Sequence, residues 1–182
     1  VGIPKPLCNF DAGANDMFVH SLTKEAPRTP LLSPALAQAY AAASYWVFLP
    51  DSVLFLKPWR DEPALRELLA HHDANSAALI SACNPFSQKI SEYENQRATA
   101  KLKADIDPKR PLYIAEGADA SSGKKAERSF IVIGIAYDEA RHLGRKYRQY
   151  AILYIKNVGK QTIPQLVACH VADQPVLDAT CI

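Results

Sequence analysis

Two periods of hydrophobic and polar positions run along this chain, and the switches between them mark its elements. Ser33 followed by Pro34 is a helix start, a cap and then a proline in the first turn, and "PALAQAYAAAS" continues it with good helix formers. "YWVFL" and "VLFLK", joined by "PDS", predict a hairpin over Tyr45 to Lys57. Asp61 is placed to cap the next helix, in which Leu65, Leu68, Leu69 and His72 share one face. The continuous apolar run Ala77 to Ala82 predicts a strand buried on both faces. Helix 91–106 has a narrow inner face of Ala98, Leu102 and Ile106 and stops at Asp107-Pro108.

Two further strands, "PLYIAEG" and "RSFIVIGI", flank the loop "ADASSGKKA". Asp138 can cap a last helix with Ala140, Leu143, Gly144 and Tyr147 on one face. "YAILYI" and "PQLVACHV" close the pattern as a strand pair around "KNVGKQT". The order α, β, β, α, β, α, β, β, α, β, β predicts an α+β fold over residues 33–172. It is a single domain with a mixed β-sheet of about six to seven strands and about four helices packed on it. Residues 1–32, without a period, read as an extended arm, and 173–182 as a tail.

Composition narrows the function classes. At 182 residues, with 48 % apolar and 22 % charged positions, the chain has the make-up of one soluble domain. A net charge of +2 argues for neither nucleic acid nor membrane. No apolar run approaches the roughly 20 residues of a bilayer helix, and no signal pattern opens the chain, so a cytoplasmic protein is expected. The four cysteines show no CxxC spacing, so no metal site is expected, and no motif names a cofactor. Cys169 and Cys181 can pair in an oxidising compartment; reduced thiols are the default.

The densest polar stretch is "NPFSQKISEYENQR", residues 84–97. It follows a buried strand and enters a helix, the corner where ligands of crossover sheets tend to sit. A helix start carries free N–H groups and suits a phosphate or carboxylate. Asn95 lies on the same face as Leu102, so its amide needs partners, either the backbone around Asn84 or a ligand. Two readings stay open. Ser91-x-x-Glu94 is a capping box and Asn84-Pro85 starts a turn, which makes the corner a brace. Ser87, Asn95 and Arg97 are required by neither motif, which makes it a site. On the site reading, Asn95→Ala and Ser87→Ala leave melting unchanged; on the brace reading both unfold the domain.

Other chemistry is thinner. Cys83 could serve as a thiol nucleophile, although buried packing is the commoner use. Ser87 lacks a nucleophile elbow. Glu116 and Glu127 flank a strand loop and could form a carboxylate pair for acid/base work or for holding a divalent cation, although exposed hairpin charges are commoner. Arg141, Arg145, Lys146 and Arg148, with Lys124, Lys125 and Arg128, could form a basic patch beside Tyr147 and Tyr150 for a nucleotide or single-stranded nucleic acid.

The residues carry a family resemblance. "LISACNPFSQKISEYENQRATAKLKADI" resembles the signature of the bacterial family catalogued as domain of unknown function 3293 (DUF3293), an apolar strand, Asn-Pro-Phe-Ser and a helix with Glu-Asn. "AEGADASSGKKAERSFIVIGI", "ARHLGRKYRQYAILYI" and "GKQTIPQLVACH" extend the similarity from about Tyr40 to His170. Cys83 replaces a common aromatic residue, and Tyr150 a usual asparagine. The resemblance implies fold and site location rather than a reaction, and it adds Glu127 and Gln149 to the pattern.

The function expected is binding of a small anionic or nucleotide-like ligand at the Asn84–Arg97 corner, as a hydrolase or transferase. Asn84, Ser87, Asn95, Arg97 and Gln149 would bind it, and Glu94 and Glu127 would supply catalytic carboxylates. The alternative is a non-catalytic module that binds nucleic acid or protein through basic helix 138–148. Oligomeric state stays open.

Overall fold

Local chemistry sets each boundary in the computed structural model, which describes residues 32–118 and 126–170. The expected arm, the tail and most of the loop "ADASSGKKA" lie outside the described residues. The first helix, α1 (Pro34–Ala42), begins where the Ser33 side chain accepts from the Leu36 N–H. Strands β1 (Ser44–Phe48) and β2 (Val53–Leu56) form the expected hairpin. Helix α2 (Pro63–His71) is capped by Glu62 rather than by Asp61. Pro63 fixes the start one residue later, and Asp61 instead accepts from the Thr162 N–H at 2.6 Å and from Arg66 at 3.0 Å.

Strand β3 (Ser76–Ser81) leads through a tight turn at Pro85–Ser87 into α3 (Glu92–Asp105). Next come β4 (Leu112–Ala118) and β5 (Glu127–Ile133), then α4 (Tyr137–Lys146). Asp138 does not cap α4, because the helix starts at Tyr137 with Ala136 as its cap residue. Asp138 and Glu139 sit in the first turn, where negative charge favours the helix dipole. β6 (Ala151–Val158) and β7 (Gln161–Ala168) are the last elements among the described residues.

Among the described residues the α+β class, the seven strands and the four helices are as expected, but the sheet is antiparallel throughout rather than mixed. Its order is β2-β1-β4-β5-β3-β6-β7. Each crossover helix does join strands that run the same way, as parallel crossovers require. Those strands are never neighbours. β3 lies between β5 and β6, which α4 connects, and β5 lies between β3 and β4, which α3 connects.

The middle of the sheet is covered on both faces. On β3, Ala78 and Ile80 join the cluster under α3 and α4, with Leu102, Ile106 and Leu143. Ala77 and Leu79 join the opposite cluster under α2, with Leu65, Leu68 and Leu69. A strand enclosed in this way reads as a continuous apolar run, which is why Ala77 to Ala82 showed no alternation. The topology also locates the corner. β3 pairs with β5 through Ser81 opposite Ser129, and with β6 through Leu79 opposite Leu153. The chain leaving β3 therefore emerges between the start of β5 and the start of β6.

Candidate functional site

Asn84 is the hub of the corner. It sits in the left-handed region at φ 46°, a conformation that asparagine tolerates better than most residues. Its N–H donates to Asn95 Oδ1 at 2.8 Å, and Asn95 Nδ2 donates to Asn84 Oδ1 at 3.2 Å. The same Oδ1 accepts from the Ile90 N–H at 3.2 Å, while Asn84 Nδ2 donates to Glu127 Oε1 at 2.5 Å. One asparagine pair thus ties the end of β3, the start of α3 and the start of β5 together.

Gln149 supports this hub from behind. It is buried, and its Nε2 donates to the carbonyls of Cys83 at 3.0 Å and Tyr147 at 3.2 Å. Cys83 is buried too, its thiol 3.7 Å from the Thr99 hydroxyl and 3.5 Å from the Arg128 carbonyl. Those contacts are packing and bracing, not the surroundings of a nucleophile.

After Asn84 the turn is strained. Phe86 at φ 51° and Ser87 at φ 56° are also left-handed, as is Arg148 at φ 53° on the facing segment. Each such residue costs about 1–2 kcal/mol unless its surroundings hold it. Here the Phe86 N–H donates to the Arg148 carbonyl at 2.7 Å. The Phe86 ring lies 5.3 Å from both the Tyr150 and the His170 rings. Ser87, exposed, shares a 2.6 Å hydrogen bond with the Tyr40 hydroxyl from the end of α1. Burial raises the Tyr40 phenol above its ordinary pKa, and Glu127 and Tyr150 add to the rise. Tyr45, in the same neighbourhood, is raised by burial, with Tyr40 and Glu127 contributing.

The expected residues therefore divide. Asn84, Asn95, Glu127 and Gln149 come together, with Ser87 at the rim. Glu94 forms the capping box: its Oε2 accepts from the Ser91 N–H at 2.9 Å and the Ser91 hydroxyl at 2.6 Å. These bonds hold its carboxyl below the usual range. Arg97 lies further out, its guanidinium 5.7 Å from the Tyr93 ring. Glu94, Arg97, Ala98 and Lys101 line a shallow hollow of about 320 Å³ along the flank of α3. The carboxylate pair of Glu116 and Glu127 does not form. Glu127 lies opposite Gly117 and Glu116 opposite Arg128, so the two acids point to opposite faces of the sheet.

Helix α4 offers little of the expected basic patch. Arg141 is buried, with its guanidinium 5.6 Å from the Tyr137 ring. Arg145 donates to the Cys169 carbonyl at 3.3 Å, and Lys146 pairs with Asp105 at 2.8 Å. Cys169 itself is buried, and burial pushes its thiol up to about 12, so it stays protonated.

Nothing in the sequence pattern marks Tyr40 or His170 as part of the corner. The Tyr40–Ser87 bond joins positions 47 apart and leaves no local trace. The pattern "NPFS" carried the signal for Phe86 alone.

A search of curated proteins and a search of solved structures each returned no match. Residues 80–152, from the end of β3 to the start of β6, match the model of the family described as Protein of unknown function (DUF3293), the family that the sequence resembles.

Proposed function

We propose that the corner between β3 and α3 binds a small nucleotide-like ligand. The observation that carries this reading is the exposed Ser87, held at positive φ and hydrogen-bonded to Tyr40, in the turn whose Asn84 amide holds the Glu127 carboxylate. Turn chemistry alone does not call for non-glycine residues at these angles, and such strain clusters where a fold positions groups for a ligand. The chemistry on offer is specific. Glu127 can accept from a sugar hydroxyl, and Ser87 and Tyr40 can donate. The rings of Phe86, Tyr150 and His170, tilted by 59° and 47° across the two Phe86 contacts, supply an aromatic cluster against which a base can pack. Arg148, exposed, and Arg97 at the outer end are the cations for a phosphate.

Asn84, Asn95 and Gln149 act in this reading by positioning the turn. Turnover would be hydrolysis or group transfer, with Glu127 as the base and Glu94 as the second carboxylate. The alternative, nucleic-acid binding through residues 138–148, has less support, because Arg141, Arg145 and Lys146 already serve the fold.

Calorimetry and thermal shift with a panel of nucleotides and the matching nucleosides test the proposal. Binding is expected, with Ser87→Ala and Glu127→Gln each abolishing it while circular dichroism stays unchanged. Binding that survives both substitutions, or no response to any member of the panel, sinks it. Affinity for an oligonucleotide that falls steeply with salt would move the case to α4.

A further inference from the structure

The two ends of the sheet are finished differently. At β7 the edge is covered: Trp59 N–H donates to the Pro164 carbonyl at 2.8 Å and Glu62 N–H to the Thr162 carbonyl at 3.2 Å. Asp61 accepts from the Thr162 N–H, and Pro164 has no N–H to leave open. At β2 nothing comparable is found among the described residues. The Leu49 N–H bonds to the Ser52 carbonyl at 2.9 Å, which sets the phase of the hairpin. Leu54 and Leu56 then bond toward β1, and the N–H and C=O groups of Val53 and Phe55 face outward.

Strand β2 also lacks the usual protections of an edge. It carries no proline, no charge and no bulge over Val53–Leu56. One face of this end packs on the core through Leu54 and Leu56. On the other face Val53 is 54 % exposed and Phe55 46 %, with Phe48 at 41 % and Ile114 at 46 % beside them. The register aligns Phe48 with both Val53 and Ile114, so the four side chains form one patch. Contiguous apolar surface of this kind marks an interaction site.

We propose that β2 pairs with β2 of a second copy of this chain, antiparallel about a two-fold axis, so that two sheets become one. The charges at its ends argue for this occupant. Directly opposed residues of an antiparallel pair point to the same face, so the axis must pass through a residue. With the axis at Leu54, Val53 lies opposite Phe55 of the second copy, and both belong to the exposed patch. Asp51, in the hairpin turn just before the strand, then comes to the end of the pair at which Lys57 of the second copy stands, and Lys57 to the end at which its Asp51 stands. Lys57 already lies on this face, its ammonium 6.0 Å from the Phe55 ring. Moving the axis to Phe55 would set Lys57 against Val53 and lose both ion pairs. The edge is thus complementary to itself in one register.

Light scattering and sedimentation across a concentration series provide the test. A species of twice the 20.0 kDa chain mass is expected. Asp51→Lys and Lys57→Asp should each weaken association roughly tenfold, since each brings like charges together at both ends of the pair. The double variant Asp51→Lys/Lys57→Asp should restore it. Asp51 is exposed in the hairpin turn, so its single variant reports even if Lys57→Asp fails to fold. A monomer at every concentration, as expected if another part of the chain or an unrelated protein covers β2, overturns the proposal. So does a dimer to which the single and double variants are indifferent.

Discussion

Helix α4 and the β3–α3 corner are both rich in polar residues, and the fold uses them in opposite ways. In α4 the polar side chains turn back on the protein: Lys146 to Asp105, Arg145 to the Cys169 carbonyl, and Glu139 to Arg110 at 2.8 Å. Its inner face is closed to the backbone, with Ala140, Leu143 and Gly144 buried. In the corner, Asn84, Asn95 and Gln149 form an inner brace, and that brace holds Ser87 at the surface in a strained conformation. Under the function proposed above, charge count does not separate a site from a scaffold. The separation lies in where the strain is and which groups the brace leaves turned outward.

The comparison breaks most easily at Gly144. A Cβ placed there would lie 2.4 Å from Cys169 Sγ and 2.9 Å from Ile152 Cγ2. Gly144→Ala must therefore push α4 off β6 or displace Cys169. A loss of about 1–3 kcal/mol is expected, several degrees in melting temperature for a domain of this size. Combining it with Cys169→Ala, which removes the closest atom, should recover part of that loss. A Gly144→Ala variant that melts with the parent protein would show that α4 is not packed in this way.

The corner predicts a smaller, divided effect. Asn95→Ala leaves the Asn84 N–H without its acceptor and loosens the left-handed turn. About 1–2 kcal/mol should be lost in chemical denaturation. Ser87→Ala touches only an exposed hydroxyl and should stay within about 0.5 kcal/mol of the parent, while removing any ligand-induced stabilisation. The sequence reading set these two variants to behave alike, as site or as brace. The structure assigns one to the brace and the other to the rim. Equal losses from both would erase the distinction.

That pairing shows how far the sequence reaches. Elements were legible because each carries its own period: Leu65, Leu68 and Leu69 face inward from α2, and the run through Ala78 and Ile80 is buried on both sides. The capping box of Ser91 and Glu94 formed as its spacing required. The antiparallel order was not legible. A crossover helix states that two strands run the same way and is silent about a third strand inserted between them. The corner's address was legible, because a buried strand running into a polar helix start is a local pattern. Its inventory was only partly so. Tyr40, Tyr150 and His170 come from elements far along the chain, and the family pattern that added Gln149 placed it without revealing its role behind Cys83. Glu116 shows the reverse: one position in strand register puts it on the other face from Glu127.

The smallest effect concerns the aromatic wall of the corner and its dependence on pH. Burial lowers the His170 imidazole below its ordinary value of 6.5, Arg145 nearby lowers it further, and a hydrogen bond with the Gln149 backbone works the other way. The folded protein therefore resists protonating a group that the unfolded chain protonates near 6.5. Stability from this group is fully present above about pH 6.5 and declines as pH falls below it, until the folded-state pKa is passed. Asp61, Glu94 and Asp105 all have depressed pKa values, so their contributions disappear only at lower pH. The interval from about pH 7 to pH 5 isolates the histidine. Melting temperature should fall modestly across it in the parent protein, and His170→Gln should flatten the fall. The same interval separates the two regions once more, since Asp105, held low by Lys146 and Tyr147, stays ionised throughout it and keeps its hold on α4. A parent profile flat over that interval would mean that His170 titrates as freely in the folded chain as in the unfolded one, and that the wall beside Phe86 is open to water.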